Sequence, residues 1–201
     1  MLGEDECMNS ALLNPDRLWT RREVLERPGP VPPAPGVYAW YFTGVPPEVP
    51  IEYCHVANGE VLLYVGISPK RPSADGTFSR QTLRTRVRYH YRGNAYGSTL
   101  RLTLGSLLAD QLGISLRRVG TRGRRLTFSS GEAALSEWMD QHARVCWLVD
   151  AEPWLTETRI LKDVNLPLNL DQNTRSGFHA QLSKARARQR EQARISPVLP
   201  R

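Results

Sequence analysis

The chain has 201 residues, 40% of them apolar, and 27 Lys+Arg against 20 Asp+Glu give a formal net charge of +7. That length fits one domain with extensions, and the apolar content suffices for a single core. No apolar run reaches the ~18 residues of a membrane-spanning helix, and Cys7, Cys54 and Cys146 lie too far apart for a zinc site of ordinary spacing.

The acidic start, Glu4-Asp5-Glu6, has no apolar stretch behind it, so no secretory signal is expected. Three reduced thiols in a cytoplasmic protein is the matching expectation. The basic residues are clustered. Residues 80–125 hold 11 arginines against one acid, Asp110, and residues 176–201 hold 6 basic side chains against one acid. Two such blocks, dominated by the planar donor fork of arginine, point to a polyanionic partner.

In chain order, residues 1–35 read as a leader and linker. A short helix is expected over Pro15 to Arg27, capped by Asn14 or Asp16 and docked through Leu18, Val24 and Leu25. The proline-rich run 28–35 excludes helix and reads as a stiff linker. Gly36 to Phe42 and Val61 to Ile67 are β-branched and aromatic, as strands require. An extra strand over Ile51 to Val56 and a hairpin turn at Asn58-Gly59 are expected between them. Leu83, Val87 and Tyr91 give one apolar face to a helix over 81–91, stopped by Gly93 and Asn94. A second helix is expected over 100–112, ended by Gly113, then a hairpin over 116–128 turning at Arg122-Gly123. A helix to His142, a strand over 143–149, a helix from Pro153 to Val164, an extended segment over 166–170 and a basic helix over 178–194 complete the chain. That order is α+β, with no internal repeat.

Within this frame, Gly36-Val37-Tyr38 and Tyr64-Val65-Gly66 place two tyrosines on neighbouring antiparallel strands. Arg86 follows on the next helix, Glu157 lies in the helix after the last strand, and Asn169 comes twelve residues later. Together these resemble the GIY-YIG nuclease family. The two triplets match its signatures with Val for Ile, and Leu83 to Tyr89 resembles the helix that carries the family's arginine. Glu157 matches the metal-binding glutamate, Asn169 the asparagine, and His90 a histidine of the homing-endonuclease branch. Alignment on Leu83 selects Arg86, with Arg84 and Arg88 left open as alternatives. The 25 residues between the triplets and the loop from Pro69 to Arg80 are longer than usual for the family.

The resemblance implies a small central antiparallel sheet flanked by helices, with the nuclease domain over 36–175 and a basic C-terminal helix over 176–201. It also implies a metal-dependent endonuclease that hydrolyses phosphodiester bonds, with Mg2+ or Mn2+ as cofactor. Tyr38, Tyr64, Arg86, His90, Glu157 and Asn169 would form the catalytic set, with Glu157 as metal ligand. The chemistry is coherent. A lone carboxylate suffices for Mg2+, which keeps most of its waters. Arginine stabilises charge on a phosphate in the transition state, and a tyrosine beside a cation or metal can act as base. Arg84, Arg88, Arg92, Arg124, Arg125, Lys184, Arg186 and Arg188 are expected to contact nucleic acid, DNA rather than RNA, with no membrane partner. Rival readings are a catalytically inactive nucleic-acid binder on the same fold and a protein gripping another polyanion. The oligomeric state and the choice between the two tyrosines as base are open.

Overall fold

The computed structural model describes residues 11–72 and 79–200. Cys7, the first part of the leader and residues 73–78 of the long loop lie outside them. A four-stranded, fully antiparallel sheet forms the centre, in the order β2-β3-β1-β6. Its strands are β1 (Gly36–Phe42), β2 (Val56–Ala57), β3 (Glu60–Ser68) and β6 (Ala143–Val149). Among the described residues, the helices around it are α1 (Arg21–Leu25), α2 (Leu83–Arg92), α3 (Thr99–Leu107), α4 (Ala109–Leu112), α5 (Gly131–His142), α6 (Pro153–Asp163) and α7 (His179–Ile195). A separate hairpin, β4 (Arg117–Val119) with β5 (Arg125–Thr127), stands apart from the sheet.

Every residue of β1 is buried, because both faces of the sheet are covered. The two-residue period of a strand splits it between two cores. Tyr38, Trp40 and Phe42 join Leu83, Val87 and Tyr91 of α2 on one face. Val37, Ala39 and Tyr41 meet Leu12 and, from α6, Ile160 and Leu161 on the other. The β2–β3 hairpin turns at Asn58 (φ 54) and Gly59 (φ 77). Two consecutive positive φ angles are what a tight hairpin needs, so Asn-Gly is read correctly there.

The structure revises several expectations from sequence. The leader helix begins only at Arg21, where Thr20 and Glu23 form a reciprocal capping box. Before it, Trp19 exchanges two backbone hydrogen bonds with Val145 and stacks on Trp147, so this stretch is an edge pairing rather than helix. The proline-rich run is no free linker. Val31 is buried, and the carbonyls of Ala34 and Pro32 accept the amides of Leu83 and Arg84. Those amides open α2 and have no partner within the helix. The strand expected at 51–56 shrinks to Val56–Ala57; Tyr53 has φ 64 and lies exposed. The helix expected at 100–112 breaks at Leu108 into α3 and α4, and Gly113 ends it in the left-handed region (φ 61).

The segment 166–170 turns instead of extending. Where β2 stops, Leu168 donates its amide to the Leu63 carbonyl. The Asn169 side chain then accepts the Val65 amide at 3.0 Å and donates to the Val65 carbonyl at 2.8 Å. A loop and one amide side chain thus continue the ladder that β2 leaves unfinished, satisfying a buried strand edge.

Candidate active site

One cleft of about 190 Å³ lies across the β1–β3 face and is lined by Tyr38, Tyr64, Arg86, Glu157 and Asn169. The register explains how the tyrosines share it. Tyr38 sits opposite Gly66, and Tyr64 opposite Trp40. A Cβ at Gly66 would fall 2.5 Å from the Tyr38 hydroxyl, so the absence of a side chain there lets the phenol ring lie flat across β3. At Gly36, a Cβ would approach the Leu148 carbonyl and the Leu83 side chain to 2.1 and 2.7 Å. The two signature glycines are therefore needed for close approach, one under the catalytic tyrosine candidate and one where β1 meets β6 and α2.

Arg86 projects from the second turn of α2. Its Nη1 donates to the Gly97 carbonyl at 2.6 Å and its Nε to Tyr38 Oη at 3.4 Å. The other two arginine candidates are bound elsewhere. Arg84 Nε donates to the Val31 carbonyl, and Arg88 donates to the carbonyls of Val24, Leu25 and Glu26. Arg86 lines the cleft; Arg84 and Arg88 hold the leader onto α2. The buried Arg101 is likewise structural, forked onto Glu132 and reaching the carbonyls of His90 and Tyr91 at the end of α2. Arg117 and Arg118 bind backbone carbonyls near the C-terminus. Much of the 80–125 arginine block is thus engaged internally.

His90 lies one turn beyond Arg86 and is fully buried behind Tyr38. Its Nε2 stands 2.9 Å from Tyr38 Oη and its Nδ1 2.7 Å from Ser98 Oγ. Ser98 also accepts the Arg101 amide as the cap of α3. Burial, with Arg86 and Arg101 nearby, holds the imidazole pKa well below its ordinary 6.5, so it is neutral. Tyr38 oxygen accepts from Arg86 Nε and shares a hydrogen bond with His90 Nε2. Burial pushes the Tyr38 phenol up, with Tyr64 adding to the rise, while Arg86 opposes it. Tyr64 is also raised by burial, and its hydroxyl is 3.2 Å from Thr99 Oγ1.

Glu157 faces these groups from α6, half-buried. Burial, and secondarily the charge of Asp171, push its carboxyl up to about 7, with Lys70 pulling the other way. Asp171, Lys70 and Thr99 line the same cleft and carried no recognisable signal in the sequence, except that Asp171 closely follows Asn169. Arg186, expected as a nucleic-acid contact, enters the cleft from α7. This final helix is docked through Leu182, Gln189 and Ala193, and Gln189 accepts the Leu116 amide. Lys184 and Arg188 lie exposed on α7, Arg92 at the end of α2, and Arg124 and Arg125 on the β4–β5 hairpin.

Among the described residues no helix is long and apolar enough to cross a membrane. Cys54 and Cys146 are free thiols. Comparison with curated proteins and with solved structures found no significant match. The profile of the GIY-YIG catalytic domain matches residues 36–188, a span that begins at the first signature glycine and reaches into the helix carrying Arg186. Its α+β core with an antiparallel sheet and the full extent of that match place the chain in the GIY-YIG nuclease superfamily.

Proposed function

We propose that this protein is a divalent-metal-dependent endonuclease that hydrolyses phosphodiester bonds in DNA. Membership of the family carries a nuclease-type function on nucleic acid in general, and its members generally depend on a divalent metal. The finer reading rests on one observation above all. Four segments distant in sequence bring two tyrosines, an arginine and a carboxylate whose pKa is raised to about 7 into one cleft. Perturbed titratable groups of complementary chemistry in a cleft mark a reacting site.

The donor set fits a hard cation. Glu157, with Asp171 close enough to affect its charge, offers carboxylate oxygens, which suit Mg2+ or Mn2+. A bound cation would polarise the phosphoryl oxygen and stabilise the leaving oxygen. Arg86, aimed by its bond to the Gly97 carbonyl, would take the phosphate oxygens. Tyr38, whose oxygen accepts from Arg86 and is hydrogen-bonded to the neutral His90, is the better placed of the two tyrosines to receive a proton from the attacking water. Tyr64 would orient that water or the phosphate from the other side. Asn169 holds the loop that carries Asp171 and acts as a positioning residue. His90 acts through Tyr38. Lys184, Arg186 and Arg188 on α7, with Arg92, Arg124 and Arg125, would supply phosphate contacts that give affinity without sequence information.

Cleavage of supercoiled plasmid in Mg2+ tests this directly. Nicking by the wild type, lost with EDTA and in Glu157→Gln, is the expected result. Salt-sensitive DNA binding with no cleavage under any metal would replace the enzyme by a binding protein on the same fold.

A further inference from the structure

The loop between α2 and α3 is fixed almost everywhere except at one side chain. Tyr89 of α2 packs under it so closely that a Cβ at Gly93 or Gly97 would lie 2.4 or 2.6 Å from the Tyr89 ring or hydroxyl. The Tyr89 hydroxyl donates to Asn94 Oδ1 at 3.1 Å. Ala95 is buried, and its amide donates to Glu132 Oε1 at 2.8 Å. Gly97 gives its amide to the Asn94 carbonyl and its own carbonyl to Arg86. Tyr96, between these anchors, is 60% exposed. The Arg125 guanidinium of the β4–β5 hairpin lies over its ring, 5.5 Å from the centroid. Next to Arg125 on that hairpin stands Arg124, also exposed.

An aromatic ring displayed on a pinned loop, backed by an arginine and flanked by more positive charge, is the arrangement that stacks nucleobases. Its location ties it to the cleft. Gly97, the next residue, holds Arg86, and Thr99, three residues on and therefore at most about 11 Å away along the chain, lines the cleft. We infer that Tyr96 and Arg125 form a stacking platform for an unpaired base of the substrate, within a few nucleotides of the scissile phosphate. The inference rests on the nuclease reading of the cleft and narrows its substrate to nucleic acid with an unpaired segment beside the cut. A base inside an intact duplex is stacked on both faces and cannot use the ring, whereas a flap, gap or loop can.

The test is fluorescence anisotropy at fixed salt, with EDTA present so that cleavage does not enter. The probes are a labelled single-stranded DNA, a blunt duplex of the same length, and that duplex with a single-stranded flap. Tyr96→Ala is expected to weaken single-strand and flap binding about 5- to 100-fold while changing blunt-duplex binding less than twofold. Tyr96→Phe, which keeps the ring, restores the lost affinity. Arg125→Gln weakens all three probes and lowers the salt slope on single strands by about 0.7. Equal loss on duplex and flap, or no loss with Tyr96→Ala, overturns the platform and leaves the nuclease reading standing. Failure of the wild type to bind any of the three probes overturns both.

Discussion

Replacing Glu157 by Gln should remove cleavage and at the same time make the metal-free protein more stable. The folded state holds this carboxyl at about 7 instead of the ordinary 4.5, chiefly through burial. That difference corresponds to about 3 kcal/mol of preference for the protonated form, which partial solvent access at a half-buried site reduces to about 2 kcal/mol. The sign follows from linkage. Below about pH 4 the group is protonated folded and unfolded, and Glu and Gln are equivalent. As pH rises from 4.5 towards 7, the unfolded chain ionises first, so wild-type stability falls across that window, and the loss is complete above it. Gln has no such titration. At pH 8 without metal, Glu157→Gln should therefore unfold about 4–8 °C higher than the wild type, with the difference vanishing near pH 4. A divalent cation held by Glu157 binds only the folded state, so saturating Mg2+ should raise the wild type by about 2–3 kcal/mol and leave the variant unmoved. Thermal unfolding at pH 4, 6 and 8, with EDTA or Mg2+, reads all of this. A Glu157→Gln protein that is less stable than wild type at pH 8, or a difference flat with pH, would refute the buried-carboxylate argument.

Other substitutions test the geometry around it. Gly66→Ala places a methyl group 2.5 Å from the Tyr38 hydroxyl; plasmid nicking should fall about 100-fold, since misplacement near 1 Å has that effect, while the circular dichroism spectrum stays native. Arg86→Lys loses the fork that joins Gly97 to Tyr38, so kcat should drop about 100- to 1000-fold with KM changed little, measured on a defined oligonucleotide. Asn169→Ala leaves the Val65 amide and carbonyl buried without partners; urea denaturation should show a loss of about 2–4 kcal/mol. Between pH 5 and 8, kcat/KM on a defined oligonucleotide should climb and level off above about 7 as the Glu157 carboxyl loses its proton, and a profile flat over that range would count against Glu157 as the titrating group.

The sequence by itself carried most of the elements and the residues that the candidate cleft brings together. β-Branched and aromatic content located β1 and β3, Asn58-Gly59 marked the hairpin turn before β3, and four-residue apolar spacing located α2. All of these depend on local sterics and on one face being buried, which a linear pattern records. The triplets with Arg86, Glu157 and Asn169 were legible because each stood in a fitting element at a familiar order. What a linear pattern cannot record is which polar group meets which across space. Sequence alone could not say that Arg84, Arg88 and Arg101 spend their donors on backbone carbonyls and on Glu132 while Arg86 turns into the cleft, since all four occupy similar basic, helical contexts. Nor could it show that Asn169 finishes a sheet ladder, that the proline-rich run caps α2, or that His90 is held between Ser98 and Tyr38. Each of those outcomes is set by the need to satisfy a buried donor or acceptor once the chain has closed on itself, and that need exists only in the tertiary structure.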